Sequence, residues 1–425
     1  MITPTLIHLY LTIISVIAFL TSPSVSYECI EPTDSLGIKF ERTNCTRNSS
    51  AQSKLIVSYG LNTTYEVIPA TQTNAFELDF TCDPTIDASK CQKAKQAFIQ
   101  AGEFLTAVFE FPNTIKVLAE FADLCAIKSC ANGIILGSAQ PARWLSMIGE
   151  DNRTRAYPQT LAKIADETGS LPYVSHDIIA SFNSKFDFFL PGDTSIGPTQ
   201  DDFVATVTHE FVHGLGFASS WRPWMANTVT PFILPLDDVF PKTVTIRETI
   251  FDAFFARMAD DQCLSNFTDA LQVALEGTYD SQAELDNAIT AAAANINLTT
   301  TVDFVTPQAI GFWPKGAQDA ILIETSFPEF VPGSTGSHVD KETYQMTENW
   351  LMIFDDIPGK TYQQIISENG GTGIVGSGIR AMLESIGYAT SQNPTPFIPT
   401  PADEPPPITV TLSRKSKRRQ RRRLQ

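Results

Sequence analysis

An α+β fold, with a mixed sheet packed on two helices, is what this 425-residue sequence predicts, and three observations predict it. Residues Ala75 to Phe80 alternate apolar and polar side chains, the period of a half-buried strand. Asp87 to Glu110 keeps Ala94, Phe98, Ala101, Leu105 and Val108 at helical spacing, so a long helix follows that strand. After strand-like runs at 114–121, 133–139 and 177–189, a second helix places Phe203, Val204, Val207, Phe211 and Leu215 on one apolar stripe. Elements in this order, without strict strand–helix alternation, indicate an α+β lobe.

The second helix carries the chemistry. It reads Thr208-His209-Glu210-Phe211-Val212-His213-Gly214-Leu215-Gly216-Phe217. Helical positions i and i+4 lie one above the other, so His209 and His213 can reach one ion at about 2.0–2.1 Å. Glu210 is turned about 100° round the axis, beside such an ion and not aimed at it, which suits a proton acceptor for water. Thr199 is the expected N-cap, with Asp201 and Asp202 in the first turn, and Gly214 and Gly216 are the expected stop. Two histidines at this spacing also arise by chance on ordinary amphipathic helices, so a third ligand is required. Five histidines are available in all: His8, His176, His209, His213 and His338.

The flanks indicate compartment. The apolar run Leu6 to Leu20 has the length of a signal-peptide core and is shorter than the roughly 20 residues that span a bilayer. Ser24-Val25-Ser26 offers small-x-small cleavage, giving a signal peptide at 1–26 and a secreted, extracellular chain, with an uncleaved N-terminal anchor as the alternative because no basic residue precedes the apolar run. Sequons at Asn44, Asn48, Asn62, Asn152, Asn266 and Asn297 agree with a glycoprotein, and seven cysteines agree with an oxidising compartment. Cys82 with Cys91 and Cys125 with Cys130 are the natural close pairs; the odd count leaves at least one free or paired elsewhere. No C-x-x-C pair exists, which argues against a thiolate zinc site. A net charge of −17 disfavours nucleic acid as a partner.

Residues 27–73, polar and rich in Thr, Ser and Asn, read as a surface-lying extension or a short pro-region, where Cys29 or Cys45 could serve as an inhibitory ligand. Residues 392–407 read as a proline-rich extended linker, and basic residues fill all but two positions from Arg414 to Arg423, a solvated tail by default.

On these residues the chain resembles the metzincin zinc metalloproteases. Leu136-Gly137-Ser138-Ala139-Gln140-Pro141 and the Gly216-Phe217 pair after the motif resemble most the leishmanolysin-like branch. Most metzincins place the third ligand six residues after the second histidine; that position here is Ser219. In the leishmanolysin-like branch an insertion intervenes and the third histidine follows Gly-Ser. The resemblance therefore implies His338, in Gly336-Ser337-His338, as third ligand and Met352 as the Met-turn residue, with Met346 as runner-up. Another zincin class uses a downstream glutamate, which would make Glu248 the ligand; Asp237, Asp238 and Asp340 are weaker alternatives. His176, before a strand, reads as a surface or supporting residue, and Trp221, Trp224 and Phe232 as packing that could line a cleft.

The resemblance further implies a zincin/metzincin-like fold with an N-terminal catalytic lobe at 74–219, an insertion at 220–337 and a mostly helical C-terminal lobe at 338–389 before the linker and tail at 390–425. Helices are expected at 247–258, about 281–294 and 376–388. The implied activity is a Zn2+-dependent endopeptidase acting on protein or peptide substrates, with Glu210 as catalytic base and no stable membrane span. A non-catalytic zincin-fold binding protein and an adhesion or wall protein with an accidental motif are the rival classes.

Overall fold

The computed structural model describes residues 26–32, 40–46, 65–125, 136–166, 169–221, 233–235, 242–295, 306–331 and 333–402. Residues 1–25 of the expected signal peptide and the basic tail lie outside the described residues, as do the sequons at Asn48, Asn62 and Asn297, whereas Ser26, the residue before the expected cleavage, opens the first strand.

The stretch expected to lie on the surface is built into the body instead. β1 (Ser26–Pro32) and β2 (Phe40–Thr46) form an antiparallel hairpin joined by the Cys29–Cys45 disulfide, so neither cysteine is available as an inhibitory ligand. Cys29 and Ile30 are fully buried. β3 (Glu66–Ile68) then lies antiparallel on β4 (Phe76–Cys82), the half-buried strand read from its alternation. Asp87 caps α1 (Ala88–Val108), its carboxylate accepting from Ser89 N and Lys90 N, and Cys82 bonds Cys91 at the start of that helix.

β5 (Ile115–Ala122) runs parallel to β4, and β6 (Gly137–Pro141) follows. Between β6 and the next expected strand the chain makes elements that periodicity did not reveal: β7 (Trp144–Ile148), β8 (Thr154–Pro158) and α2 (Gln159–Ala165). β9 (Ile178–Asn183) ends well short of the expected residue 189, because the backbone of Asn183 to Phe186 closes a turn. The metal-motif helix, α3 (Phe203–Gly214), comes next.

The main sheet has the order β3-β4-β5-β9-β6, parallel in its centre and antiparallel at both edges. α1 and α3 pack on it through phenylalanines. The Phe98 ring lies 5.5 Å from Phe80, 5.1 Å from Phe182 and 5.9 Å from Phe203, while Phe211 stacks on Phe76 at 5.3 Å. Aromatic side chains bury the largest apolar areas of any residues, so this cluster is what fixes α3 against the sheet. The expected mixed sheet on two helices is thus present.

The insertion contains β10 (Ile233–Pro235), β11 (Lys242–Ile246), β12 (Phe255–Arg257), β13 (Gln262–Cys263), α4 (Leu264–Ala274), β14 (Thr278–Tyr279), α5 (Gln282–Asn295), β15 (Ile310–Phe312) and β16 (Ile321–Leu322). The helix expected at 247–258 is absent. A single 3-10 turn at Phe251–Phe254 gives way to β12, because Phe251, Phe255 and Phe312 pack together and pull the chain into a sheet of order β13-β12-β15-β16. The alanine-rich helix appears as α5.

The last lobe is helical as expected. It comprises α6 (Lys341–Tyr344), a 3-10 turn at Trp350–Met352, α7 (Tyr362–Glu368) and α8 (Ser377–Ile386), which closes on Gly387 at φ 129. β17 (Thr400–Pro401) corrects the linker reading: it pairs with β7, at the other end of that strand from β1. Extended proline-rich chain suits an edge strand, where a missing N–H does no harm. Cys125 is disulfide-bonded while its expected partner Cys130 lies outside the described residues, and Cys263 is free and exposed. Among the described residues no helix is long and apolar enough to cross a membrane.

A buried ion pair locks β1 in place. The Arg143 guanidinium, 3% exposed, donates to Glu31, also 3% exposed, and to the Pro172 carbonyl at 2.5 Å. Removing one partner of such a pair leaves the other charge buried without its counter-ion. Arg143→Ala is therefore expected to cost about 3–5 kcal/mol in urea unfolding; a loss near zero would mean that the N-terminal hairpin contributes nothing to the fold.

Candidate functional site

α3 begins one turn later than its sequence signals imply. Phe189 N donates to Asp201 O and Phe203 N to Phe189 O, which keeps the chain extended as far as Asp202. Asp202, not Thr199, is the N-cap: its carboxylate accepts from Val204 N at 3.0 Å and Ala205 N at 3.2 Å, and from Tyr362 N at 3.0 Å. Thr206, on the next turn, donates its hydroxyl to Asp356 at 2.8 Å. Burial, followed by the nearby Asp201 carboxylate, pushes Asp356 up to about 7. The helix is thereby tied to the segment just beyond Met352.

The other end of α3 depends on glycine. A Cβ on Gly214 would stand 2.5 Å from Ile178 Cγ2, so only glycine lets the helix end lie this close to β9. Gly216, at φ 103, turns the chain back. That reversal brings the Phe217 carbonyl to His213 Nδ1 at 2.8 Å.

His338 arrives from the far side of the insertion. Residues just past β16 continue as a ladder: Ile323 bridges Val339, Glu324 N donates to His338 O at 2.8 Å, and Gly336 N to Glu324 O at 2.9 Å. The imidazole Nδ1 bonds the Ser334 carbonyl at 2.9 Å. Met352 is fully buried in its 3-10 turn; its carbonyl accepts from Val339 N at 2.9 Å, and the neighbouring Leu351 carbonyl bonds His209 Nδ1 at 2.6 Å. Met346 is 66% exposed and takes no part in this.

These elements bring His209, His213 and His338 together. Their Nε2 atoms form a triangle with all three sides 3.1 Å. Each Nδ1 faces a backbone carbonyl, which only accepts, so each Nδ1 carries the hydrogen and each Nε2 presents a lone pair. Three acceptors at hydrogen-bonding distance with no donor among them repel one another. A proton could relieve one contact, but burial holds His209 down at about 4, only partly offset by its bond to Leu351. A cation relieves all three. Four donors around zinc at about 2.0–2.1 Å stand roughly 3.3 Å apart, close to the spacing found, and three neutral imidazoles are a donor set that zinc favours. The residues present therefore fit a zinc ion.

Glu210 is half-buried beside the trio and accepts a hydrogen bond from Ala139 N at 2.7 Å. Along β6 the even-numbered residues face β9; Ala139 belongs to the other set, with its N–H on the outer edge. The carboxylate is so held between the metal-site helix and an edge strand.

The alternative ligands are occupied elsewhere. Glu248, 4% exposed, accepts from Arg155 Nε at 2.6 Å, Ser265 Oγ at 2.5 Å and Thr268 Oγ1 at 2.8 Å. Asp340 caps α6. Asp237 and Asp238 lie outside the described residues, as do Trp224 and Phe232, whereas Trp221 is fully buried as packing. His176 is buried, not on the surface; it bonds Asp79 at 2.7 Å and Ser175 at 2.9 Å, away from the trio. Sequence reading missed the carbonyls of Leu351, Phe217 and Ser334, since backbone groups leave no residue-type signature. It also missed the role of Ala139, although the phrase containing it was singled out.

The model of a family described as SPBPB7E8-like matches residues 29–306 and 254–402. An uncharacterized protein of Schizosaccharomyces pombe is 24% identical over 368 residues, covering 75% of this chain. The match takes in 63% of that relative, so the chain spans less than two thirds of its length. No solved structure matches.

The pH behaviour of the metal-free trio follows from His209. Its folded value lies below the ordinary 6.5, so the unfolded chain takes up a proton that the folded chain refuses, and stability falls as pH drops from 6.5 toward 4. In chelator-treated protein, histidine NMR should show His209 titrating near 4; titration at 6.5 or above would contradict its burial.

Proposed function

The chain belongs to the SPBPB7E8-like family, and on that premise we propose that it is a secreted zinc-dependent endopeptidase of metzincin type, nearest the leishmanolysin-like branch. The observation that carries this reading is the triangle of Nε2 lone pairs, each backed by a carbonyl at Nδ1. The arrangement of a sheet with antiparallel edges, two helices, a buried methionine turn and a helical last lobe supports the same reading. The Cys29–Cys45 and Cys82–Cys91 disulfides agree with an oxidising, extracellular location.

Zinc, when bound, supplies a Lewis acid that acidifies water and polarises a peptide carbonyl. His209, His213 and His338 would hold it, and their carbonyl partners fix the tautomer and orientation of the rings. The Glu210 carboxylate accepts the proton of the attacking water and returns it to the departing amine, at a position set by Ala139 N–H. β6 pairs with β9 on one side only among the described residues, so its outer edge, apart from the Ala139 N–H that Glu210 occupies, offers backbone groups to an extended peptide alongside Glu210. A peptide bound there lies across the catalytic carboxylate. Met352, fully buried in the turn whose Leu351 carbonyl bonds His209, would support the trio without ligating.

Two variants test the proposal. Glu210→Gln should retain zinc, measured by plasma mass spectrometry, while hydrolysis of casein falls by about 10²–10⁴-fold, the range of a general base. Undiminished hydrolysis would sink the mechanism, and a wild-type protein that binds zinc without cleaving any peptide would favour a binding role. His338→Ala should lose the zinc itself. Retention of full zinc content by that variant would remove His338 from the ligand set.

A further inference from the structure

The structure assigns Asp252, in the insertion, the part of a positioning residue for His213, acting through the segment 217–220. This inference rests on the zinc reading and goes beyond its ligands and base. Asp252 is fully buried. One carboxylate oxygen accepts from Ser219 Oγ at 2.6 Å; the other accepts from Ser220 N at 2.8 Å, Thr249 N at 3.1 Å, Thr249 Oγ1 at 2.8 Å and the Ser220 hydroxyl. A buried carboxylate is costly unless donors surround it, and here the donors come from residues outside every helix and strand. They are the two serines that follow α3 and the threonine that precedes the 3-10 turn.

The segment so gripped carries the carbonyl that orients His213. Phe217 O bonds His213 Nδ1 at 2.8 Å, two residues before Ser219. The Thr249 hydroxyl also reaches the Ala218 carbonyl at 3.0 Å, and the Phe217 ring packs on Phe251, adjacent to Asp252, with centroids 4.5 Å apart. Ring, carbonyl neighbour and following serines are each held by residues 249–252. His213 is half-buried, and its ring leans on this bond for its tautomer. Ser219 occupies the position at which short-motif metzincins place a third ligand; in this chain its hydroxyl is turned to Asp252 instead. The insertion therefore braces both His213, through Asp252, and His338, through the ladder beyond β16.

The test compares zinc dissociation constants, measured on the full-length protein by competition with a chromophoric chelator, for wild type, Asp252→Asn, Ser219→Ala and Glu248→Gln. Asp252→Asn turns an amide NH2 toward donors, whereas Ser219→Ala removes one donor and leaves the carboxylate, so the second variant remains informative if the first does not fold. Glu248→Gln is the control, since Glu248 is another buried carboxylate of the same insertion, and its side-chain hydrogen bonds go to Arg155, Ser265 and Thr268 instead of residues 217–220. Loss of an outer partner of a metal-bound histidine weakens metal binding by about 10- to 100-fold; Asp252 acts one step behind that partner, so a weakening of up to about 10-fold is expected for Asp252→Asn and a smaller one for Ser219→Ala, with an altered Co2+ absorption spectrum in both. Glu248→Gln should lower the melting temperature of the metal-free form without weakening zinc. Wild-type zinc affinity in Asp252→Asn and Ser219→Ala, or equal weakening in Glu248→Gln, overturns the positioning role and leaves the zinc reading standing. A wild-type protein that takes up no zinc overturns both.

Discussion

Three imidazole lone pairs held 3.1 Å apart are the constraint on which the rest of this structure depends. Nothing in a metal-free protein favours such an arrangement, because each Nε2 is an acceptor facing acceptors. It persists since each ring is tethered behind by a different backbone carbonyl: Leu351 for His209, Phe217 for His213, Ser334 for His338. Each tether belongs to a separate part of the chain. The Met352 turn, the reversal after α3 and the loop ahead of His338 must all be in place for the triangle to exist, so the cluster works as a joint between distant segments of the chain.

That view changes the meaning of the insertion. An excursion of more than a hundred residues between two histidines of the trio could hang from the body as an ornament. Here its strands run directly into the ladder holding His338, and its Asp252 collects donors from the segment holding His213. Its anchorage is equally deep elsewhere: Glu248 receives Arg155 from β8 together with Ser265 and Thr268 from α4, in a buried network with its donors supplied. The N-terminal hairpin follows the same pattern. Glu31 meets Arg143 ahead of β7, and Glu28 meets Arg247 within the insertion, so the hairpin is fastened on two sides by buried or half-buried charge.

The successes and failures of the sequence reading share a cause. α1 and α3 were legible because an apolar stripe repeating every three or four residues reports a helix lying on a core, α5 from its alanine-rich composition and α8 from the glycine that closes it. β4 and β5 were legible from alternation or an apolar run. The stretch 247–258 has the same kind of pattern but forms only a 3-10 turn and a strand, because Phe251 and Phe255 find Phe312 across a sheet whose other strands come from far along the chain. β1 was read as surface since residues 27–73 are polar and rich in Thr, Ser and Asn; what fastens it to the body are a disulfide and two arginines whose positions the local sequence does not disclose. Glu248 tells the same story in reverse, as a carboxylate of the right type with partners that have nothing to do with metal.

What the sequence by itself determined is the local chemistry of α3: two histidines one turn apart, a carboxylate between them, and glycines where the helix must end, all set by helical geometry within ten residues. A family likeness supplied His338 and Met352, but no spacing rule could, since 125 residues separate His338 from His213. Only the tertiary structure decided that those residues meet, which carbonyl backs each ring, and that Ala139 and Asp252 brace the site. The reason is physical. Periodicity records which face of an element is buried, whereas the closing of a long loop and the aim of a backbone carbonyl depend on how separate elements pack, and packing is not written in any one of them.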